Sequence, residues 1–426
     1  MNTDSAPATR LAAHIACRDC GLLQAVPDIP TRHVVECARC GRVLITRAFG
    51  RVDLPLALAT CALLLLLASS LAPLLSVSTF GAERSSSLLT GIRVFSAEGF
   101  PELGALVLIC TVIFPFAFLL ALVWVLGSIH FGAAGDPHLG RLYRWIGLIR
   151  PWMMIEVFLV GGFVAYTRIQ AVATIEVDPG GWCLIAATFV TLLMLTQLDD
   201  RTVWAALPLS DVDEPGVAEP PNAPGSPAAS RRIACVECDL IVPASAAHHA
   251  CPRCHATLHP RKPDASRRTA ALLIAGYLLY IPANVLPVTT LSGVGGDEHH
   301  TILSGVFELI HNDLWPLALI VFVASIVLPL VKLLSLTWML IAIRFRSAHL
   351  LRTRTRLYRT IEAIGRWSNI DVFMGSMLVA LLQFGALTTV RAQPGLLAFA
   401  AVVVITMIAT ETFDSRRMWD VADRAA

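Results

Sequence analysis

RLYRWIGLIRPWMMIEVF (141–158) and RLYRTIEAIGRWSNIDVF (356–373) are one passage written twice, 215 positions apart. Arg141, Leu142, Tyr143 and Arg144 meet Arg356, Leu357, Tyr358 and Arg359. Trp152, Ile155, Val157 and Phe158 meet Trp367, Ile370, Val372 and Phe373, while Glu156 meets Asp371. Working outward, the register holds. Pro73 answers to Pro287, Leu89-Thr90-Gly91 to Leu303-Ser304-Gly305, Pro115 to Pro329 and Trp124 to Trp338, all at 214. Cys17 answers to Cys235 at 218, and Asp199, Arg201 and Trp204 answer to Asp414, Arg416 and Trp419. An internal repeat over most of the chain decides the architecture before any single residue is interpreted.

Hydrophobic residues make up 56% of the chain and charged residues 15%, with a mean hydropathy of +0.67. Soluble domains carry about 25% charge, so this composition is that of a membrane protein. A helix needs about 20 apolar residues to cross the hydrocarbon. Runs of that kind predict eight spans, near 54–77, 103–127, 153–175 and 181–198 in the first half and 270–291, 315–343, 370–391 and 394–412 in the second. The expected fold is an all-α polytopic membrane protein with two parallel-duplicated four-helix transmembrane halves, each preceded by a small cytoplasmic zinc ribbon. The domain boundaries expected are 1–50 for the first ribbon, 51–204 for the first half, 205–231 for a flexible linker, 232–262 for the second ribbon and 263–426 for the second half. The linker is rich in Pro, Ala, Ser and acid, which disfavours a packed core.

Arginines cluster in two short loops. Arg141, Arg144 and Arg150 lie in 128–150, and Arg344, Arg346, Arg352, Arg354, Arg356, Arg359 and Arg366 lie in 344–366. Basic loops stay on the cytoplasmic side, which places both termini in the cytoplasm. Residues 1–50 are polar and hold no cleavable leader, so the first span is expected to act as the insertion signal. The net charge of +2 says little about partners, because the basic residues are concentrated in a few loops rather than spread over a face, and no nucleic-acid partner is expected.

Eight of the eleven cysteines form two quartets, Cys17, Cys20, Cys37 and Cys40, and Cys235, Cys238, Cys251 and Cys254. Paired CxxC knuckles offer four thiolates in the tetrahedral arrangement that Zn²⁺ accepts, so two structural zinc sites are expected, with rubredoxin-like iron or a redox pair as the other readings. Gly21 and Gly41 follow the first two knuckles, where positive φ is common, whereas Asp239 and His255 stand there in the second quartet. His248, His249 and His259 flank that quartet as substitute ligands. Cys61, Cys110 and Cys183 sit singly in predicted spans and read as packing residues.

Lys332 lies well inside an apolar span, where a cation usually faces a partner or a cavity. Its counterpart in the first half is Phe118. Asp371 with Ser368, and Thr406 in the last span, are the polar groups within its reach, so a cluster of Lys332, Asp371, Ser368 and Thr406 is expected in the second half. Glu156 and Arg168 occupy the positions of Asp371 and Gln383, so the halves differ in their polar membrane residues.

IPANVLPV (281–288), GVFELI (305–310), VFVASIVLPLVKLLSL (321–336), GRWSNIDVF (365–373), FDSRRMWD (413–420) and the first-half RPWMMIEVFLVGGFVAY (150–166) resemble the paraquat-inducible protein A family. The resemblance covers the chain except its first sixteen residues and the linker. It implies a bacterial inner-membrane protein with tandem zinc ribbons. It also implies a role in moving phospholipid or another membrane lipid, together with a periplasmic partner built of mammalian-cell-entry (MCE) domains. The absence of a GxxxxGK[ST] motif places any energy source outside this chain's own nucleotide chemistry, and no catalytic constellation stands out. The alternative is a membrane-anchored metal or redox sensor.

Overall fold

The computed structural model describes residues 13–26, 34–46, 52–79, 82–170, 174–209, 232–293, 296–311, 313–381 and 388–423. Positions 210–231, which hold most of the expected linker, and Gln383 lie outside the described residues.

In the first half two hairpins, β1 (Ala13–Ala16) with β2 (Leu23–Val26) and β3 (Val34–Glu36) with β4 (Val43–Thr46), carry the first cysteine quartet. Then come α1 (Asp53–Leu71), β5 (Leu75–Thr79), β6 (Ala82–Ser86), α2 (Thr90–Ala97), α3 (Pro101–Leu108), α4 (Phe114–His130), α5 (His138–Ile149), α6 (Ile155–Ile169), β7 (Thr174–Val177), α7 (Pro179–Gln197) and α8 (Asp200–Ala206). The second half repeats the order: β8 (Arg232–Ala234), β9 (Ile241–Pro243), α9 (Ala265–Val285), β10 (Thr289–Gly293), β11 (Gly296–His300), α10 (Ile302–His311), α11 (Trp315–Phe322), α12 (Leu328–Arg344), α13 (Leu351–Ile364), α14 (Ile370–Leu381), β12 (Thr388–Ala392), α15 (Pro394–Thr412) and α16 (Arg416–Asp423).

Seven helical segments among the described residues are long and apolar enough to cross a membrane. They are Asp53–Leu71, Pro101–His130, His138–Thr167, Pro179–Gln197, Ala265–Val285, Trp315–Arg344 and Pro394–Thr412. The seventh expected span, 370–391, contains α14, whose described part is 12 residues long, or about 18 Å at 1.5 Å per residue. All twelve are buried, Asp371 and Ser376 among them.

The all-α expectation needs one correction. Each half carries a three-stranded antiparallel sheet, ordered β6-β5-β7 in the first and β11-β10-β12 in the second. Four of the expected spans ran into these strands. β-branched runs such as LSVST and TTLSG follow directly on apolar helix, and hydropathy reads them as its continuation, although their side chains suit a pleated surface better than a helix.

Structure deepens the repeat where sequence identity is thin. The amide of Gly180 donates to Pro73 O at 3.0 Å and that of Gly395 to Pro287 O at 3.0 Å, closing each sheet onto the following helix in the same way. Both long second helices contain a π turn, Ile109–Ile113 and Val323–Val327, just before Pro115 and Pro329. Proline lacks the amide and clashes with the carbonyl four residues back, and the wider turn accommodates it. Pairwise, α1 packs on α7, α9 on α15 and α6 on α14. The last of these pairs joins the halves: Asn369 Nδ2 donates to Met154 Sδ at 2.8 Å, and these two residues are counterparts in the repeat. Arg366 in turn reaches Glu156 at 2.8 Å.

The two cysteine modules are crossed. The first packs on the second half, its four cysteines sharing a cluster with Leu273, Leu333, Met339, Tyr358 and Trp419. The second rests on α5 of the first half, where an added Cβ on Gly140 would lie 2.0 Å from Arg253 O. That contact demands glycine at 140. Arg18 ties the modules together, its guanidinium holding the Asp239 carboxylate at 2.9 Å and Glu237 O at 3.1 Å. At the opposite end, Ala392 N donates to Glu98 Oε2 at 2.9 Å, so the sheet ends of both halves lie together. The halves are therefore parallel.

Candidate metal centres and the buried lysine

Each knuckle is closed by the same two backbone bonds. The amide of the residue after the second cysteine returns to the first cysteine's carbonyl, in Gly21 to Cys17 (2.8 Å), Gly41 to Cys37 (2.9 Å), Asp239 to Cys235 (3.1 Å) and His255 to Cys251 (2.9 Å). Each first-cysteine amide donates onward, to Leu22 O, Arg42 O, Leu240 O and Ala256 O at 2.7 to 2.9 Å. Gly21 and Gly41 have φ of 75° and 67°, and Asp239 and His255 reach the same left-handed region at 57° and 56°. The polar pair therefore adopts the glycine conformation, which Asp and His tolerate better than most residues.

Within each quartet all four sulfurs lie within 4.8 Å of one another. The closest pairs, Cys17 with Cys40 and Cys20 with Cys37, stand at 3.4 and 3.5 Å, and Cys235 with Cys254 and Cys238 with Cys251 at 3.5 and 3.6 Å. A tetrahedron with metal–sulfur bonds of about 2.3 Å has edges of about 3.8 Å. Both donor sets fit a metal ion. All eight cysteines are buried, and four thiolates leave no open coordination position, so such a centre folds a small module and performs no chemistry. His248 and His259 meet edge to face with ring centroids 5.3 Å apart, outside the sulfur group.

Charged side chains fix the modules in place. Asp19, in the first knuckle, is held by Arg42 and by Arg359 of α13. Arg359 also donates to Cys40 O at 3.2 Å and to Cys40 Sγ at 3.1 Å. An N–H bond to a ligand sulfur orients it and tempers its charge. Arg39 lies over the Trp419 ring at 4.7 Å. Beneath, Asp414 binds Arg416 Nε at 3.0 Å and Lys262 N at 2.9 Å. Burial alone would raise its carboxyl, and the Arg416 guanidinium with these amides outweighs burial and holds it below the usual range. His255 is held below its ordinary value by burial and by the nearby Arg141 and Arg144, as its seat on α5 requires. Of the two RLYR copies, the second supplies Arg359 to the first module, and Arg141 and Arg144 of the first stand near His255 of the second module. The sequence showed the motif as a repeat and as a source of basic charge, and its contact with the modules comes from packing.

The structure brings together part of the expected polar cluster. Lys332 is 2% exposed, and its ammonium donates to Gly365 O at 2.6 Å and Ser368 Oγ at 2.9 Å. Ser368 Oγ bonds the same carbonyl at 2.8 Å. The carbonyl of Gly365, invisible to side-chain reasoning, is the acceptor at the centre. Asp371, 6% exposed, instead lines a narrow cavity of about 50 Å³ with Thr289, His300, Met374, Leu378 and Phe399. That cavity runs along one face of α14 towards β10 and β11. Thr406 turns its hydroxyl back to Val403 O at 2.9 Å on its own helix. Phe118, the counterpart of Lys332, is fully buried.

The profile of the family described as paraquat-inducible protein A matches residues 52–208 and 266–423, the two halves without their ribbons. The chain belongs to the paraquat-inducible protein A family. It is 30% identical over 412 residues to the Intermembrane transport protein PqiA of Escherichia coli K12, covering 96% of each chain. It is 29% identical over 406 residues to the Lipophilic envelope-spanning tunnel protein A of the same organism, covering 95% of this chain and 90% of that one. A Haemophilus influenzae relative with 26% identity over 419 residues is named a probable intermembrane transport protein. No solved structure matches the chain. This family member is thus a multi-pass membrane protein with two four-cysteine groups, and its relatives carry the names of transport proteins.

Proposed function

We infer that the protein is an inner-membrane subunit of an envelope lipid transport system, passing lipids to or from a periplasmic MCE-domain partner. The observation that carries this reading is likeness over nearly the whole chain to proteins named for intermembrane transport and for a lipophilic envelope-spanning tunnel. The ribbons and both termini face the cytoplasm, each quartet binds one Zn²⁺, and each half contributes four spans, with α14 inside the seventh. The sheets β6-β5-β7 and β11-β10-β12 then face the periplasm and the partner. Lys332, Ser368, Asp371 and Thr406 form the working region of the second half. The boundaries read from the sequence, with ribbons at 1–50 and 232–262, a linker at 205–231, and membrane halves at 51–204 and 263–426, frame this division of labour.

Purification from native membranes tests the reading. Phospholipid and an MCE-domain protein are expected to accompany the chain, and Lys332→Ala is expected to abolish lipid transfer at near-normal membrane abundance. A preparation that carries neither lipid nor partner, and loses zinc reversibly on mild oxidation, supports sensing instead and overturns transport.

A further inference from the structure

The loop between α12 and α13 has a charge pattern that its first-half counterpart lacks. From Leu314 to Ile361 the chain carries no Asp or Glu, and Arg344, Arg346, Arg352 and Arg356 are all exposed. None of the four has an acidic partner among the described residues. In the corresponding loop of the first half Asp136 offsets the base, and His130 pairs with Asp53 at 2.8 Å. Between these arginines stand two exposed apolar side chains, Phe345 at 78% and Leu350 at 58% exposure. They sit directly after the apolar span closes at Arg344. Apolar side chains alternating with cations at the end of a span match the boundary between acyl chains and headgroups.

A groove of about 670 Å³ opens at this level between the first ribbon and the start of α13, walled by Leu22, Arg39, Leu350, Arg352 and Trp419, with no acidic side chain in its lining. Arg39 is committed to Asp423 and the Trp419 ring. Arg352 gives its Nε to Arg39 O at 3.0 Å, which leaves its terminal nitrogens for a ligand. We propose that this face binds anionic phospholipid, with the headgroup phosphate between Arg352 and its exposed neighbours Arg346 and Arg356 and the acyl chains beside Phe345 and Leu350. The complementarity is that of exposed arginines without acidic partners among the described residues, at headgroup depth, to a lipid phosphate that carries net charge. The site is separate from the lysine of α12, and it depends on neither the transport reading nor the orientation.

Native mass spectrometry of the full chain in detergent, with dioleoylphosphatidylglycerol or dioleoylphosphatidylcholine as probe, tests the proposal with matched acyl chains. The parent is expected to retain the glycerol lipid about tenfold better, and R346Q/R352Q/R356Q to bring it down to the choline level, given the attraction of each cation for an anionic surface. R141Q, in the first-half loop, should leave the preference unchanged. Zinc content and melting temperature report folding, and if the triple variant fails them R346Q alone, outside the ribbon contacts, makes the same comparison. Equal retention of both lipids, or an undiminished preference in the variants, overturns the proposal. So does loss of heparin binding with lipid retention intact, because the surface would then serve an acidic macromolecule.

Discussion

Phe158 and Phe373 meet edge to face, ring centroids 5.8 Å apart and planes at 78°, and they are the same residue of the repeat. A residue touches its own counterpart only where the axis relating two copies passes, so the pseudo-twofold axis runs between α6 and α14.

That axis makes Gly161 a tight position. A Cβ there would lie 3.0 Å from Met374 N and 3.1 Å from Ile370 O, both backbone atoms that cannot swing away. Gly161→Ala is therefore expected to lower stability by about 1–3 kcal/mol, read as a lower melting temperature in detergent. Gly147→Ala, in α5 with open space around it, should be neutral or gain up to about 1 kcal/mol from helix propensity. Equal effects at both positions would contradict close packing along the axis.

The hydrogen bonds of Lys332 lead to a double-mutant cycle. Lys332→Met and Ser368→Ala should couple by about 0.5–3 kcal/mol, as residues sharing a buried network do, while Lys332→Met and Asp371→Asn should add to within about 0.5 kcal/mol. Thermal unfolding of the single and double variants against the parent decides. Coupling to Asp371 larger than to Ser368 would restore the lysine–aspartate pair expected from the sequence.

Arg359 predicts a lesion confined to one metal centre. Arg359→Ala removes the bonds to Asp19, Cys40 O and Cys40 Sγ, so the first quartet should release its ion to a chelator while the second keeps its own. Zinc per chain, about two before chelator, is expected to fall to about one in the variant and to stay near two in the exposed control Arg356→Ala. Retention of both ions by Arg359→Ala would remove α13 from the support of that centre.

The orientation is open to cysteine labelling. Single cysteines at Ser96 and His311 should react from outside the cell, and those at Ala133 and Ala348 only after permeabilisation, because the arginine-rich loops stay inside. The reverse pattern would invert the chain and move both quartets out of the cytoplasm.

The repeat, the membrane character and the two sets of four thiolates were legible in the order of residues alone. These are local properties: a fixed offset, runs of apolar residues, and CxxC spacing that leaves few other uses for the cysteines. The same order marked Lys332 and Ser368 as polar groups in an apolar segment. Which partners they meet was settled by packing. The acceptor beneath Lys332 is a backbone carbonyl, which every residue possesses and no side-chain pattern reveals. The crossing of the ribbons, which sets the first on α13 and the second on α5, depends on how two similar halves pack, because an identical RLYR motif in each cannot state which module it will hold. The strands at the far ends of the helices were hidden for a related reason. Short runs such as LSVST and TTLSG follow the apolar helices with little to mark the boundary, and pairing with a strand about a hundred residues away, such as Leu75 with Val177, is what turns them into sheets.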